Sequence, residues 1–389
     1  MKQTIGVFFG GQSTEHDISI VTAISSVIKP LRASGVYDVV PIYIAKSGRW
    51  YSVKQLELIG TYQTGKIDDL LKKAKPVRLL MDDGLVLEVP RGVGRKKMRL
   101  DVAFPALHGT KGEDGALMGL LEMANTPYVG CDLPASTIAM DKALTKTVVA
   151  DAGVSITPFV SFTRHEYEQS STQKDIMKRI KALQKPLFIK PVHLGSSIAV
   201  ARAETPPEIE QAIEVALHYD NKVIVEEAVH NLIEVTVPII GNQQLIIGHV
   251  ERPLLGEADT FDFETKYLKH DAGKGKSASK GVHGYSELPA KLDNGLYQKA
   301  EAAAEAAYRA VGCGGIARVD LLIDEKTKTV YFNEINPMPG SLYRHNWAQK
   351  GISAVDLVER LIEYAFERHE QNAKQNRVFH SNFLSQAKN

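Results

Sequence analysis

The chain has 389 residues, 44% of them apolar and 24% charged, with 47 Lys and Arg against 46 Asp and Glu. A net charge of +1 gives no electrostatic ground for a nucleic-acid or acidic-membrane partner, and two cysteines are too few for a disulfide framework or a four-thiolate metal site. No run approaches the ~18 apolar residues of a membrane span, and at about 150 residues per domain the length predicts two or three soluble domains mixing helix and sheet.

The opening MKQTIGVFFGG reads as a strand and not as a secretory leader, because Thr4–Phe9 is a short β-branched and aromatic run passing straight into Gly10-Gly11. Ile18, Val21, Ile24, Ile28 and Leu31 then recur at helical spacing behind Ser13, and Tyr37–Ala45 reads as the next strand. Strand, helix, strand predicts a doubly wound first domain. The basic segment Arg91–Arg99 is expected to be a solvated turn between two hairpin strands. Asp101–Leu107 reads as a strand, followed by a helix over Asp114–Ala124 that buries Leu117, Leu120, Leu121 and Met123.

Leu133–Ala152 predicts two short helices stopped by Gly153. Pro186–Lys190 is a strand, and Gly195-Ser196-Ser197 a tight turn before another. Lys222–Glu227, Ile233–Ile240 and Gln244–Val250 are three β-rich runs expected to form one antiparallel section. An alanine-rich helix over Leu296–Val311, strands Gly315–Ile323 and Val330–Ile335, and an amphipathic helix Ala354–Glu367 complete the pattern. The polar tail Glu370–Asn389 is expected to be loosely packed, with Val378, Phe379 and Phe383 as its docking groups.

Familiar phosphate motifs fail. Gly275-Lys276-Ser277 ends like a P-loop, but the glycine required five residues earlier is His270. Gly312-x-Gly314-x-x-Ala317 precedes a strand where a dinucleotide fingerprint must join a strand to a helix. No GxSxG elbow or HExxH helix is present, which removes hydrolase and zinc-protease readings.

The chemical signal lies late in the chain. Arg318-x-Asp320 sits on one strand and Glu334-x-Asn336 on the next, and residues two apart on a strand share a face. If the strands pair, Asp320, Glu334 and Asn336 converge as hard oxygen ligands of the kind Mg²⁺ takes, with Arg318 beside them for phosphate oxygens or an oxyanion. An exposed hairpin with solvated charges has the same alternation. Pro337-x-Pro339-Gly340 then stops the strand and presents a loop.

With those residues the chain resembles the D-alanine–D-alanine ligase family of the ATP-grasp superfamily over nearly its whole length. The resemblance rests on eight segments in order: GGQSTEHDIS (10–19), ALHGTKGEDGALMGLLE (106–122), AMDKALTK (139–146), FIKPVHLGSS (188–197), VIVEEAV (223–229), FDFETKYL (261–268), ARVDLLID (317–324) and NEINPMPG (333–340). It implies an α/β (α+β) three-domain ATP-grasp fold, with a doubly wound substrate domain at 1–131 and an antiparallel-sheet nucleotide site. The central domain would span 132–228, the C-terminal domain with the metal site 229–369, and the polar tail 370–389.

The resemblance also implies roles. Glu15 holds the amine of the first D-alanine, with helix capping as its ordinary alternative, and His108 lies close to that substrate. Lys142 and Lys190 contact ATP phosphates, covered by Gly195-Ser196-Ser197. Glu226, Glu227 and Val229 line the adenine, Glu234 the ribose, and Lys266-Tyr267 belong to a lid near the γ-phosphate. Asp320, Glu334 and Asn336 would bind two Mg²⁺ (or Mn²⁺) ions, and Arg318 would stabilise an oxyanion. Ser196 is grouped with Glu15 and Arg318 as catalytic. A lid that excludes water is expected over Asp271–Gly281. The implied setting is cytoplasmic and homodimeric, with small amino acids as substrates.

The sequence departs from the family at three places. Glu227 stands where many relatives have lysine, and Ala199 where a glycine is usual. Ser341-Leu342 follows Gly340 at once where a longer loop is usual, so Gly340, Ser341 and Leu342, or Arg344 after them, would take the second substrate's carboxylate. The leading reading is an ATP-dependent ligase making D-alanyl-D-alanine for the cell wall, with D-serine, D-lactate or another amino acid as the rival acceptor. A nucleotide-binding module without ligase chemistry is the alternative from another class.

Overall fold

In the computed structural model the described residues are 2–63, 65–195, 197–254 and 286–376. Ser196, Lys266, Tyr267, the expected lid Asp271–Gly281, and Val378, Phe379 and Phe383 lie outside them.

Three four-stranded sheets organise the chain. In the first, Gln3–Gly10 lies between Tyr37–Ile44 and Val102–Pro105, parallel to both, and the short strand Trp50–Tyr51 closes one edge antiparallel. Alternate residues of Gln3–Gly10 feed two cores, as the pleat requires. Ile5, Val7 and Phe9 pack with Ile24, Val27 and Leu31, while Phe8 packs with Leu117, Met118 and Leu121. Both faces are thus covered, which is the doubly wound arrangement expected.

Helix His16–Thr22 continues through a π-helical segment, Ala23–Ile28, into Lys29–Ser34. The apolar spacing foretold the helix but not this widened turn, of a kind that recurs at functional sites.

The second sheet runs Ala201–Ala203, Leu187–Pro191, Lys222–Glu227, Phe159–Thr163, all antiparallel. Helices Ser170–Lys181 and Pro206–Tyr219 cover it through Ile176, Ile180, Ile209 and Ile213. The third sheet runs Leu245–Ile247, Leu232–Gly241, Ile316–Asp324, Thr329–Asn336. Helix Asn294–Val311 lies on it through Ala300, Ala304 and Ala307, whose small side chains let helix and sheet approach closely.

Four expectations are corrected. Lys222–Glu227 does not share a sheet with the two runs after it, because the chain crosses between sheets over residues 228–231. Only Gly92-Val93 turns within the basic segment, since Gly94–Arg99 pairs with Leu85–Arg91 as an exposed strand. Met123 is 81% exposed and Met118 takes the buried place, one turn of the helix being out of phase with the reading. The last helix extends over Ala354–Ala373, so the start of the polar tail is helical.

That last helix touches the third sheet and also reaches beyond it. Leu357, Val358, Leu361 and Ile362 enter the same core as Ile5, Val7 and Phe9 of the first strand. Arg368 ties it down further, donating to the carbonyls of Tyr128, at 2.6 Å, and Gly130.

Candidate functional site

An open cavity lies where the first and third sheets meet the loop after Leu187–Pro191, with Glu15, His108, Gly195, Arg318, Asn336 and Gly340 in its wall. Its first wall begins at the glycine-rich turn. Ser19 Oγ accepts from Gly10 N–H at 2.8 Å and donates to the Ala106 carbonyl at 2.7 Å, joining two adjacent strand ends.

Glu15 stands at the N-cap of its helix, yet its side chain makes no capping hydrogen bond. Ser13 Oγ accepts from Glu15 N–H instead, at 3.0 Å. A Cβ at Gly109 would lie 2.8 Å from Glu15 Oε2, and one at Gly195 3.2 Å from it, so glycines flank the carboxylate on both sides. Gly109 also has φ +70, which an L side chain adopts with strain.

His108 is buried below the carboxylate, its Nε2 3.0 Å from Thr22 Oγ1 and its Nδ1 3.9 Å from Glu113 Oε1. Burial alone pushes the imidazole down, but the carboxylates of Glu113 and Glu15 outweigh it and raise the ring above its ordinary value. Glu113 in turn accepts from Gly109 N–H at 2.6 Å. Thr22 Oγ1 also accepts from Ser341 N–H at 3.1 Å, linking the first helix to the turn after Gly340. That turn, Gly340–Tyr343, carries Ser341, Leu342 and Tyr343 at φ 54, 52 and 52, three side chains in succession in left-handed backbone.

The opposite wall is the late hairpin. Ile316–Asp324 and Thr329–Asn336 pair antiparallel with Arg318 opposite Asn336 and Asp320 opposite Glu334. Arg318 grips Asp320 with a fork, Nε to Oδ1 at 2.6 Å and Nη2 to Oδ2 at 2.5 Å, and Asn336 Nδ2 donates to Asp320 Oδ2 at 3.3 Å. A bidentate pair of this kind fixes direction as well as charge.

Beside the hairpin sits a cluster of lysines. Lys142 Nζ donates to the Leu194 carbonyl at 2.7 Å and lies 3.3 Å from Glu334 Oε2. Lys190 and Lys146 share Glu226, Lys146 Nζ at 2.9 Å. Burial alone would push the Glu226 carboxyl up, but the two ammonium groups hold it well below the usual carboxylate range. Burial pulls Lys146 down despite its partner. Lys190 goes the other way: burial lowers it, while Glu226, Glu334 and Glu234 raise it further.

Of the residues the sequence singled out, Glu15, His108, Arg318, Asn336 and Gly340 share the cavity wall, and Lys142, Lys190, Glu226 and Glu334 adjoin it. Glu227 points to the other face of its strand, where its carboxylate accepts from Gln184 N–H at 2.9 Å. Val229 and Glu234 are half-buried at the crossing between the two later sheets. Ser197 takes φ 57 and Ala199 φ 56, so the alanine occupies a conformation that glycine adopts freely. Ser341 and Leu342 belong to the left-handed turn, and Arg344 opens helix Arg344–Gln349, half-buried.

Thr22, Glu113 and Lys146 were not foreseen. Lys146 alone left a signal, lying one helical turn after Lys142 on a helix face that is otherwise buried.

In chemistry the donor set of the hairpin fits a hard cation: Asp320 stands opposite Glu334 in register and Asn336 donates to Asp320, and a nucleotide would bring further oxygens. Among the described residues no group of three or more His, Cys, Asp or Glu side chains is placed to hold a metal.

Comparison with known proteins shows the family. The family model described as "D-ala D-ala ligase N-terminus" matches residues 4–131, and "D-ala D-ala ligase C-terminus" matches 148–363. A D-alanine–D-alanine ligase of Chlorobium phaeovibrioides is 36% identical over 96% of this chain and 100% of its own length. One from Thermosipho melanesiensis is 34% identical over 94% of each. Among solved structures, the D-alanine–D-alanine ligase of Coxiella burnetii superposes with a TM-score of 0.76 at 28% identity, covering 96% of both chains. The VanG D-Ala:D-Ser ligase of Enterococcus faecalis gives 0.75 at 28% identity, over 94% of this chain and 100% of that one. Two family models that together take in most of the chain, near full-length relatives above 30% identity and a common three-sheet architecture lead to one conclusion: this chain belongs to the D-alanine–D-alanine ligase family.

Proposed function

We propose that the chain is an ATP-dependent, ADP-forming ligase that joins two D-alanines through an acyl phosphate, supplying a dipeptide for peptidoglycan synthesis. The observation that carries this reading is the facing of Glu15 and the Arg318–Asp320 fork across one cavity. The first would hold an ammonium group and the second would meet developing negative charge.

Joining two amino acids requires a carboxylate to become a good acyl donor. The γ-phosphoryl group passes from ADP oxygen to the carboxylate oxygen of the first D-alanine. The amine of the second then attacks the carbonyl carbon, and phosphate leaves. Glu15 orients the first substrate by its ammonium group, with His108 beneath it. Lys142 and Lys190 hold phosphate oxygens, and Glu226 keeps Lys190 in place. Arg318 opposes charge on the carbonyl oxygen, a contribution of about 3 kcal/mol for one well-aimed donor in a site closed to water. Asp320, Glu334 and Asn336 would hold Mg²⁺ or Mn²⁺, in two ions, whose chemistry is to neutralise phosphate charge. The family resemblance assigns Lys266-Tyr267 to a lid, Ser196 to a phosphate loop, and Glu227, Val229 and Glu234 to the adenosine. The three-unit division at 131/132 and 228/229, a cytoplasmic setting and a homodimer belong to the same reading.

Phosphate release from ATP is measured with D-alanine alone and with a panel of D-serine, D-lactate and L-amino acids as acceptors. Release with D-alanine alone, with the dipeptide as product, is the expected outcome. Release only with another acceptor replaces the second substrate, and no release with any acceptor leaves a nucleotide-binding module. In Arg344→Ala, a loss confined to acceptor KM or kcat/KM assigns the acceptor carboxylate to that guanidinium.

A further inference from the structure

Tyr343 ends the left-handed turn after Gly340, and its ring lies under the guanidinium of Arg318, 5.3 Å from centroid to Cζ. Its hydroxyl shares a 3.2 Å hydrogen bond with Thr236 Oγ1, and Thr236 is the residue directly opposite Asp320 on the neighbouring strand. The ring is held from another side by His345, whose centroid is 5.0 Å away and whose Nε2 is 2.8 Å from Glu251 Oε2. Glu251 returns to Thr236 through two backbone hydrogen bonds of 2.8 and 2.9 Å. Thr236, Tyr343, His345 and Glu251 therefore form a closed circuit around one aromatic ring.

The Asp320 fork engages Nε and Nη2 and holds that edge of the Arg318 guanidinium, while the ring of Tyr343 lies against its plane. The aim of Nη1 depends on that plane. A ring face packed against the guanidinium favours one tilt, since the π cloud attracts the cation most strongly from above. We propose that Tyr343 is a positioning residue that fixes the plane of Arg318, so that the arginine meets the reacting carbonyl oxygen already oriented. This rests on the ligase reading. It explains why three residues in succession hold left-handed backbone: the turn delivers the ring beneath the arginine.

The test is a double-mutant cycle in the full-length protein, read as kcat and KM for phosphate release with D-alanine. Tyr343→Leu should lower kcat about 10-fold, the size of a partly desolvated cation–π contact, with the KM for ATP unmoved. Tyr343→Phe keeps the ring and should stay within about threefold of wild type. In an Arg318→Lys background, where a point charge has no plane to orient, Tyr343→Leu should cost less than about twofold. Tyr343→Met, which fills the space without a π face, takes the place of Leu if that variant fails to fold. The inference is overturned if the loss is the same in both backgrounds, if Tyr343→Phe is as defective as Leu, or if only KM changes. Wild type measured alongside separates the failures: no phosphate release there removes the ligase reading and this inference with it, whereas an active wild type with uncoupled variants removes this inference alone.

Discussion

Lys146 Nζ and Glu226 Oε2 are 2.9 Å apart with both side chains almost fully shielded from water, and they join three parts of the chain. Lys146 also donates to Thr157 Oγ1 and to the Phe332 carbonyl, each at 3.2 Å, so its three protons reach both later sheets. Removing one partner of such a pair leaves the other charge buried, a loss of about 3–5 kcal/mol. Lys190 still neutralises Glu226, which places Lys146→Met near the lower end. Thermal and urea unfolding midpoints should fall markedly in this variant and partly recover in Lys146→Arg. A midpoint equal to wild type would mean that the Lys190 contact alone holds Glu226.

Glu15 offers a cleaner separation of substrate from nucleotide. Its carboxylate faces the cavity between two glycines and caps nothing by its side chain. Glu15→Gln keeps the shape and removes the charge. A hydrogen bond to a charged group contributes about 1.5–3 kcal/mol, so kcat/KM for D-alanine should drop roughly 10- to 150-fold while ATP affinity holds. Loss of helix stability with unchanged D-alanine kinetics would instead return Glu15 to a structural role.

His193 lies two residues before Gly195, its Nε2 3.5 Å from Asp141 Oδ2 and its Nδ1 3.0 Å from Asp220 Oδ1. Hydrogen bonds to Asp141 and then to Asp220 raise the imidazole from 6.5 to about 9. Because the folded value is raised, the stabilisation is complete below pH 6.5 and is lost as the pH climbs through 9. The ring is 45% exposed, so solvent screening reduces the effect. The unfolding midpoint of wild type should decline across that window relative to His193→Gln. Parallel curves for the two proteins would show that the ring's charge is immaterial.

Ala199 holds φ 56 in the turn over residues 197–199. Left-handed backbone costs an L-residue about 1–2 kcal/mol, and glycine's extra freedom in the unfolded chain returns about 0.5–1 kcal/mol of that. Ala199→Gly should therefore stabilise the protein by about 0.5–1 kcal/mol, and Ala199→Val should do the reverse. A lower unfolding midpoint for the glycine variant would contradict this.

Where a local rule carried the information, the sequence was enough. The alternation Arg318-x-Asp320 and Glu334-x-Asn336 implies shared faces, and the hairpin register sets them opposite each other. The parallel first sheet followed from one strand–helix–strand unit. What stayed hidden depends on partners far away in the chain. Thr22 becomes part of the site only when Ser341, more than three hundred residues later, donates to it. Glu251 looks like an ordinary strand residue until His345 arrives. Lys222–Glu227 was placed in the wrong sheet because a run of β-formers records that a strand exists and not which neighbour it chooses.

The packing of the carboxyl-terminal helix beside the first sheet has a consequence for biosynthesis. The amino-terminal sheet and the helix over Ile5, Val7 and Phe9 emerge early from the ribosome, but the helix that completes their core begins only after Ser353. Through nearly the whole of translation the part of that core around Leu31, Val102 and Phe104 lacks Leu357, Val358 and Leu361 and lies open to chaperones or to other nascent chains. A message truncated before codon 353 would yield a product with a ready-made aggregation surface, even though every residue named in the cavity wall had already been synthesised.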